Sequence, residues 1–235
     1  LAEKLPNPTH KLDEQSSRLV ALSQGISTII MDEISLRGNA YTVSALALDA
    51  ATGNVIAEKE VTAASKDDVV STIPKLTVPI RRALGDNTLE AAQLENERGA
   101  FTAASLEVVH QYGIGMEQQF AGKTDEALRS FGKAAELDPN FARAYSGMAS
   151  AAIKLDHPAD AEKYIKLAME HVDRMTDRER YRVRGLYYGT TGNWQKCAEE
   201  YTPLVKVYPG DNIGHNNLAV CLSGLRDLSK ALQEA

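Results

Sequence analysis

The chain has 235 residues, with 26 lysines and arginines against 32 aspartates and glutamates, a net charge of -6 and 43% hydrophobic residues. That composition is ordinary for a soluble globular protein, and its acidity argues against a nucleic-acid or anionic-membrane partner. No apolar run reaches the roughly 18 residues of a membrane helix, and Leu1 to Lys11 lacks the basic, apolar and small-residue regions of a signal peptide.

In chain order, Lys11 to Gln24 reads as an amphipathic helix, with Leu12, Leu19, Val20 and Leu22 on one side and Gly25 as its stop. Ile26 to Leu36, Tyr41 to Leu48 and Asn54 to Thr62 read as strands, rich in β-branched and apolar residues. Arg37-Gly38-Asn39-Ala40 and Ala51-Thr52-Gly53-Asn54 join them, and glycine and asparagine tolerate the positive φ of hairpin turns. The three strands form an antiparallel meander. A helix follows, capped by Ser65, with Asp67 and Asp68 in its first turn and Val69, Val70, Ile73, Leu76, Ile80 and Leu84 as its buried stripe. Pro74 and Pro79 inside this pattern are expected to bend or divide it. Residues 1–88 thus make an α+β layer, and the charged, alanine-rich residues 89–106 form either a helical spacer or a flexible linker.

From residue 107 to 235 the sequence repeats itself. Gly122-Lys-Thr-Asp-Glu-Ala127-Leu aligns with Asp156 to Glu162, with Gly192 to Ala198 and with Arg226 to Leu232. The column Ala127, Ala161, Cys197, Ala231 recurs at intervals of 34, 36 and 34 residues, the longer one holding a two-residue insertion near Asp173 to Asp177. Gly115, Ala149, Gly185 and Ala219 supply small residues where paired helices touch. Asp138-Pro139 and Tyr208-Pro209 stop helices. A period of about 34 residues built from helix-turn-helix units resembles the tetratricopeptide repeat, most closely at Phe131-Gly-Lys-Ala-Ala-Glu-Leu-Asp-Pro139. The fold class is therefore mostly α, with about four helical hairpins in an α-α superhelix behind a small α+β domain. Such hairpins share one continuous core, so the unit ending at Ala235 is expected to continue or to be covered.

Catalytic signatures are missing from the sequence. His10, His110, His157, His171 and His215 have no metal-ligand spacing, and there is no phosphate loop or nucleophile elbow. No catalytic residue, cofactor or metal is assigned, and the chain reads as a non-enzyme. Cys197 and Cys221 fall at apolar helix positions and read as small buried thiols. The surface to watch is the concave groove lined by the first helix of each unit. The candidate partner-binding residues are Tyr112, Met116, Gln119 and Phe120 from the first, Arg143, Ser146 and Ser150 from the second, Arg182 from the third, and Asn216 and Asn217 from the fourth. Tetratricopeptide domains that clamp a C-terminal carboxylate place Lys, Asn and Arg in the groove. Tyr112 and Met116 depart from that pattern and fit a peptide held by apolar and amide contacts.

The meander from Ile34 to Gly53, Asp67-Asp68-Val69-Val70 through Arg81-Arg82-Ala83-Leu84-Gly85-Asp86, and Phe101 to Glu107 leading into the repeats together resemble the C-terminal region of bacterial tetratricopeptide-containing serine/threonine kinase-like proteins. The resemblance implies a sensory and protein-interaction module in an extracytoplasmic position, as the soluble part of a membrane-anchored protein; a cytoplasmic position is the alternative. No kinase motif occurs in the chain. Protein or peptide is the expected partner. A small-molecule-binding regulatory domain and a scaffold that self-associates through the open repeat end are the alternatives.

Overall fold

The computed structural model describes residues 13–85 and 103–234. It divides into two compact units, Leu1–Arg98 and Gly99–Ala235. The first is a small α+β layer, the second a stack of helical hairpins.

In the first unit, α1 (Glu14–Ser23) starts at Asp13, whose carboxylate accepts the Ser16 N–H at 2.8 Å. Strands β1 (Thr28–Arg37), β2 (Ala40–Asp49) and β3 (Val55–Ala63) form one antiparallel sheet in the order β1-β2-β3. Gly38 and Gly53, at φ 64° and 76°, make the two turns. Ile29 pairs with Leu48 and Met31 with Leu46, and this end of one face is covered by α1 through Ala21. On the other face Val43, Ala45 and Ala47 are buried in the middle strand, where α2 (Val69–Ala83) packs over β2 and β3.

The expected division of α2 at its prolines does not occur; Val69–Ala83 is one helix containing both Pro74 and Pro79. Each proline removes one backbone hydrogen bond, but Val69, Val70, Leu76 and Ile80 bury their side chains against the sheet and hold the turns together. The helix also begins later than expected. Ser65 caps a preceding turn, its Oγ accepting from Asp68 N and donating to the Asp68 carboxylate, and Asp68 is the residue before the first helical turn. The candidate spacer over 89–106 lies outside the described residues as far as residue 102.

The second unit contains four hairpins. They are α3 (Leu106–Phe120) with α4 (Thr124–Leu137), α5 (Ala142–Lys154) with α6 (Pro158–Glu170), α7 (Asp177–Thr190) with α8 (Trp194–Val207), and α9 (Asn212–Gly224) with α10 (Leu228–Glu234). The two-residue insertion in the third period is spent on a short 3-10 turn, Val172–Arg174, ahead of a capping box between Thr176 and Glu179. Within a hairpin the helices approach closely because one side is small. A Cβ on Gly115 would meet the Phe131 ring at 2.6 Å, and one on Gly185 would run into the ring of Tyr201. Between hairpins the core is continuous. Phe141 and Ala144 pack with Ala134 and Val108, and Val183 and Met175 pack with Ile165 and Ala168.

The turn inside every hairpin places the same repeat position in the left-handed region, and these four are the first residues of the segments aligned in the sequence. Gly122 and Gly192 sit at φ 75°, Asp156 at 58° and Arg226 at 62°. Glycine adopts this region freely, aspartate tolerates it, and arginine does so at a cost.

The cysteines differ from expectation. Cys197 and Cys221, read as separate thiols, are joined in a disulfide with their Cα atoms 5.7 Å apart. They are 24 residues apart in sequence. The second helix of the third hairpin packs on the first helix of the fourth and brings them together, a juxtaposition that exists only once the superhelix is formed.

Candidate functional site: the groove of the helical repeats

Side chains at i, i+4 and i+7 lie on one face of a helix. The first helix of each hairpin turns such a row toward a common hollow. Helix α3 presents Tyr112, Met116 and Gln119; α5 presents Ser146, Ser150 and Ile153; α7 presents Arg182, Leu186 and Gly189; and α9 presents Ile213, Asn216, Asn217 and Val220. They enclose a cavity of about 580 Å³. Its walls are chiefly apolar, with Met116, Ile153, Val183, Leu186 and Val220 among them. Trp194, Cys197 and Tyr201 of α8 and Cys221 of α9 also border it.

Eight of the ten candidate residues line this one hollow: Tyr112, Met116, Gln119, Ser146, Ser150, Arg182, Asn216 and Asn217. Two do not. Phe120, at the end of α3, is 76% exposed and is not part of the lining. Arg143 lies one turn before the α5 row, where its guanidinium stacks 4.8 Å from the centre of the Tyr112 ring and pairs with Glu179 at 3.2 Å. It ties three successive first helices together.

The polar side chains of the hollow are held in place from within. Gln119 Nε2 donates to Ser150 Oγ at 3.4 Å across the first and second hairpins. Tyr201 is fully buried, which pushes its phenol pKa up and keeps it protonated. Its hydroxyl donates to the Arg182 carbonyl at 3.1 Å and accepts from Asn217 Nδ2 at 3.0 Å. Asn217 is thereby oriented, whereas Asn216 next to it is exposed. Thr190 Oγ1, in the wall, is the one buried side-chain oxygen among the described residues with no hydrogen-bond partner.

A buried charge cluster, absent from the sequence reading, anchors the third and fourth hairpins. Asp211 has no exposed side-chain surface and accepts from Arg182 Nη2 at 2.6 Å and Nε at 3.0 Å, from Arg178 Nε at 2.8 Å and from the Gly214 amide at 2.8 Å. Burial alone would raise its pKa; the hydrogen bonds from Arg182, Arg178 and Gly214 outweigh it and hold the carboxyl below its usual 3.8. Asp211 occupies the repeat position filled by the buried Phe141 two hairpins earlier. The available sequence signal was the pair Arg178 and Arg182, four apart on one helix face, with an aspartate one repeat later.

His215 is engaged inside the protein. Its ring bonds Glu234 at 2.6 Å and the Pro209 carbonyl at 3.1 Å. The bond to Glu234 raises its pKa above 6.5. His110 is exposed. Among the described residues there is no cluster of three metal-ligating side chains and no helix long and apolar enough to cross a membrane.

A family model described as a tetratricopeptide repeat matches residues 121–181. The chain has no match among the curated proteins. Among solved structures it is similar to the MamA protein, at 22% identity over 70% of this chain and 87% of that one, with a TM-score of 0.37. It is also similar to MamA from residue 41 onward of Desulfovibrio magneticus RS-1, at 17% identity over 71% and 91% of the two chains, with a TM-score of 0.39.

Proposed function

We propose that the helical-repeat unit is a non-catalytic protein-interaction module whose groove takes an extended peptide or protein segment. The observation that carries this reading is the hollow of about 580 Å³ to which the first helices of all four hairpins contribute. Its apolar lining suits one or two large apolar side chains. Gln119, Ser150, Asn216 and Asn217 supply donors and acceptors along the course of a backbone. Arg182 commits its Nε and Nη2 to the Asp211 carboxylate, so it adds shape and polarity more than a free guanidinium fork. This favours apolar and amide recognition over capture of a free carboxylate. In this reading the module serves a signalling protein, the context supplied by the kinase-like resemblance of the sequence.

The reading extends to compartment. A disulfide between two core helices persists where the surroundings are oxidising, which supports an extracytoplasmic position.

The test is selection from a displayed random-peptide library on the immobilised chain, with an Ile153→Glu, Val220→Glu double variant beside it. Both side chains are half exposed in the wall, so the variant keeps its fold, checked by an unchanged melting temperature. Enriched peptides carrying paired apolar residues, bound by the parent and lost by the variant, support the reading. Equal retention by both proteins overturns it. Stabilisation by a small metabolite with no peptide enriched would favour the alternative of a ligand-sensing domain.

A further inference from the structure

Among the described residues the sheet of the first unit has an edge with no strand paired to it. β1 is its outer strand, ten residues long, and among the described residues it pairs with β2 alone. On the face where α2 covers β2 and β3, β1 extends past the helix. Ile30, Ile34 and Leu36, alternating along the strand, are 51%, 49% and 61% exposed. Asp32 stands between the first two on the same face. The described ion pairs leave Asp32 without a counter-ion. Across the sheet Asp32 is opposite Ala45, and Ala45 opposite Lys59, so that lysine stands two strands away, and it forms no ion pair with Asp32 among the described ones. On the opposite face Glu33, Ser44 and Glu60 form one row, with Glu58 two residues along from Glu60. Both faces of the edge are therefore acidic at mid-strand; Asp32 has Ile30 and Ile34 on either side, whereas Glu33 has Met31 on one side and Ser35 on the other.

We propose that β1 is a strand-addition site for a basic, extended segment of another protein, one with Lys or Arg opposite Asp32 and apolar residues two positions to either side. An added strand would satisfy the outward backbone groups of β1 and cover Ile30 and Ile34, the usual gains of strand addition. A second copy of this chain is the poorer occupant. A two-fold pairing of β1 with itself that keeps the apolar face on one side and overlaps the full strand must centre on residue 32 or 33. The first sets Asp32 against Asp32, the second Glu33 against Glu33, and like charges directly opposite destabilise a sheet. Burial raises the Asp32 pKa, and a cation placed opposite would reverse that.

The test uses a fluorescein-labelled nonapeptide of alternating valine and threonine with lysine in place of the central valine, titrated into the full chain and followed by anisotropy. The same peptide with central glutamate and one N-methylated at alternate residues serve as controls. The lysine peptide is expected to bind about tenfold tighter than the glutamate peptide, from the difference between an opposite-charge and a like-charge cross-strand pair. The methylated peptide is expected not to bind. Asp32→Lys should reverse the charge preference while leaving the fold intact, and Ile34→Lys should remove binding of both. Absence of lysine-peptide binding, indifference to the central charge, or a preference unchanged in Asp32→Lys overturns the proposal. So does a concentration-dependent doubling of mass in sedimentation that Ile34→Lys abolishes, which would give the edge to a second copy.

Discussion

Two residues in the repeats show how position decides the sign of a substitution. Arg226 holds the left-handed turn that glycine fills in the first and third hairpins. Its Cβ makes that conformation costly by about 1–2 kcal/mol, and glycine would recover part of this against its greater freedom when unfolded. Arg226→Gly is therefore expected to stabilise the chain by about 0.5–1 kcal/mol, read as a higher urea midpoint at unchanged slope. Asp211 is the opposite case, a buried carboxylate on which two arginines converge. Removing its charge leaves them facing a neutral group, so Asp211→Asn is expected to cost about 3 kcal/mol. Because its folded pKa is depressed below 3.8, the stability it contributes is present above that value and is lost as pH falls through the lower folded one. The parent should therefore lose stability in strong acid over a range where the Asn variant changes less, seen by following both denaturation midpoints from pH 5 to pH 2.

At the scale of elements, the sequence carried most of what local physics decides. The meander was legible because β-branched runs and glycine turns coincide, and the repeats because Ala127, Ala161, Cys197 and Ala231 recur in register. The groove rows were legible for the same reason, since helical periodicity alone places Tyr112, Met116 and Gln119 together. What stayed hidden depends on how elements pack. The unbroken α2 rests on burial against the sheet, Arg143 is drawn out of the groove row by Tyr112 and Glu179, and the Cys197–Cys221 bond needs two packed hairpins. The last helix offers a test of such packing. His215 on α9 grips Glu234 at the end of α10, and this raises the histidine pKa above 6.5. A raised folded pKa gives stability that is full below 6.5 and lost as pH rises through the folded value. The C-terminal helix should accordingly loosen on the alkaline side. Glu234→Gln should bring the His215 titration, followed by NMR of its ring protons, back toward 6.5.

For the whole chain, the two units use different physics to present surface. Among the described residues the α+β layer leaves one edge of its sheet unpaired, whereas the repeats wrap their first helices around a hollow. Stacked repeats touch only their neighbours, so such arrays ordinarily open one hairpin at a time from an end. The bond between Cys197 and Cys221 changes this for the last pair, because it fastens the third hairpin to the fourth. Stretched by its termini, the oxidised chain cannot pay out the 24-residue segment between them, which withholds about 80 Å of contour at roughly 3.4 Å per residue. Single-molecule pulling should show that missing length restored when dithiothreitol is added. The junction is thus a tether whose slack is governed by the thiol chemistry of its surroundings, giving the far end of the molecule a mechanical limit that the first two hairpins lack.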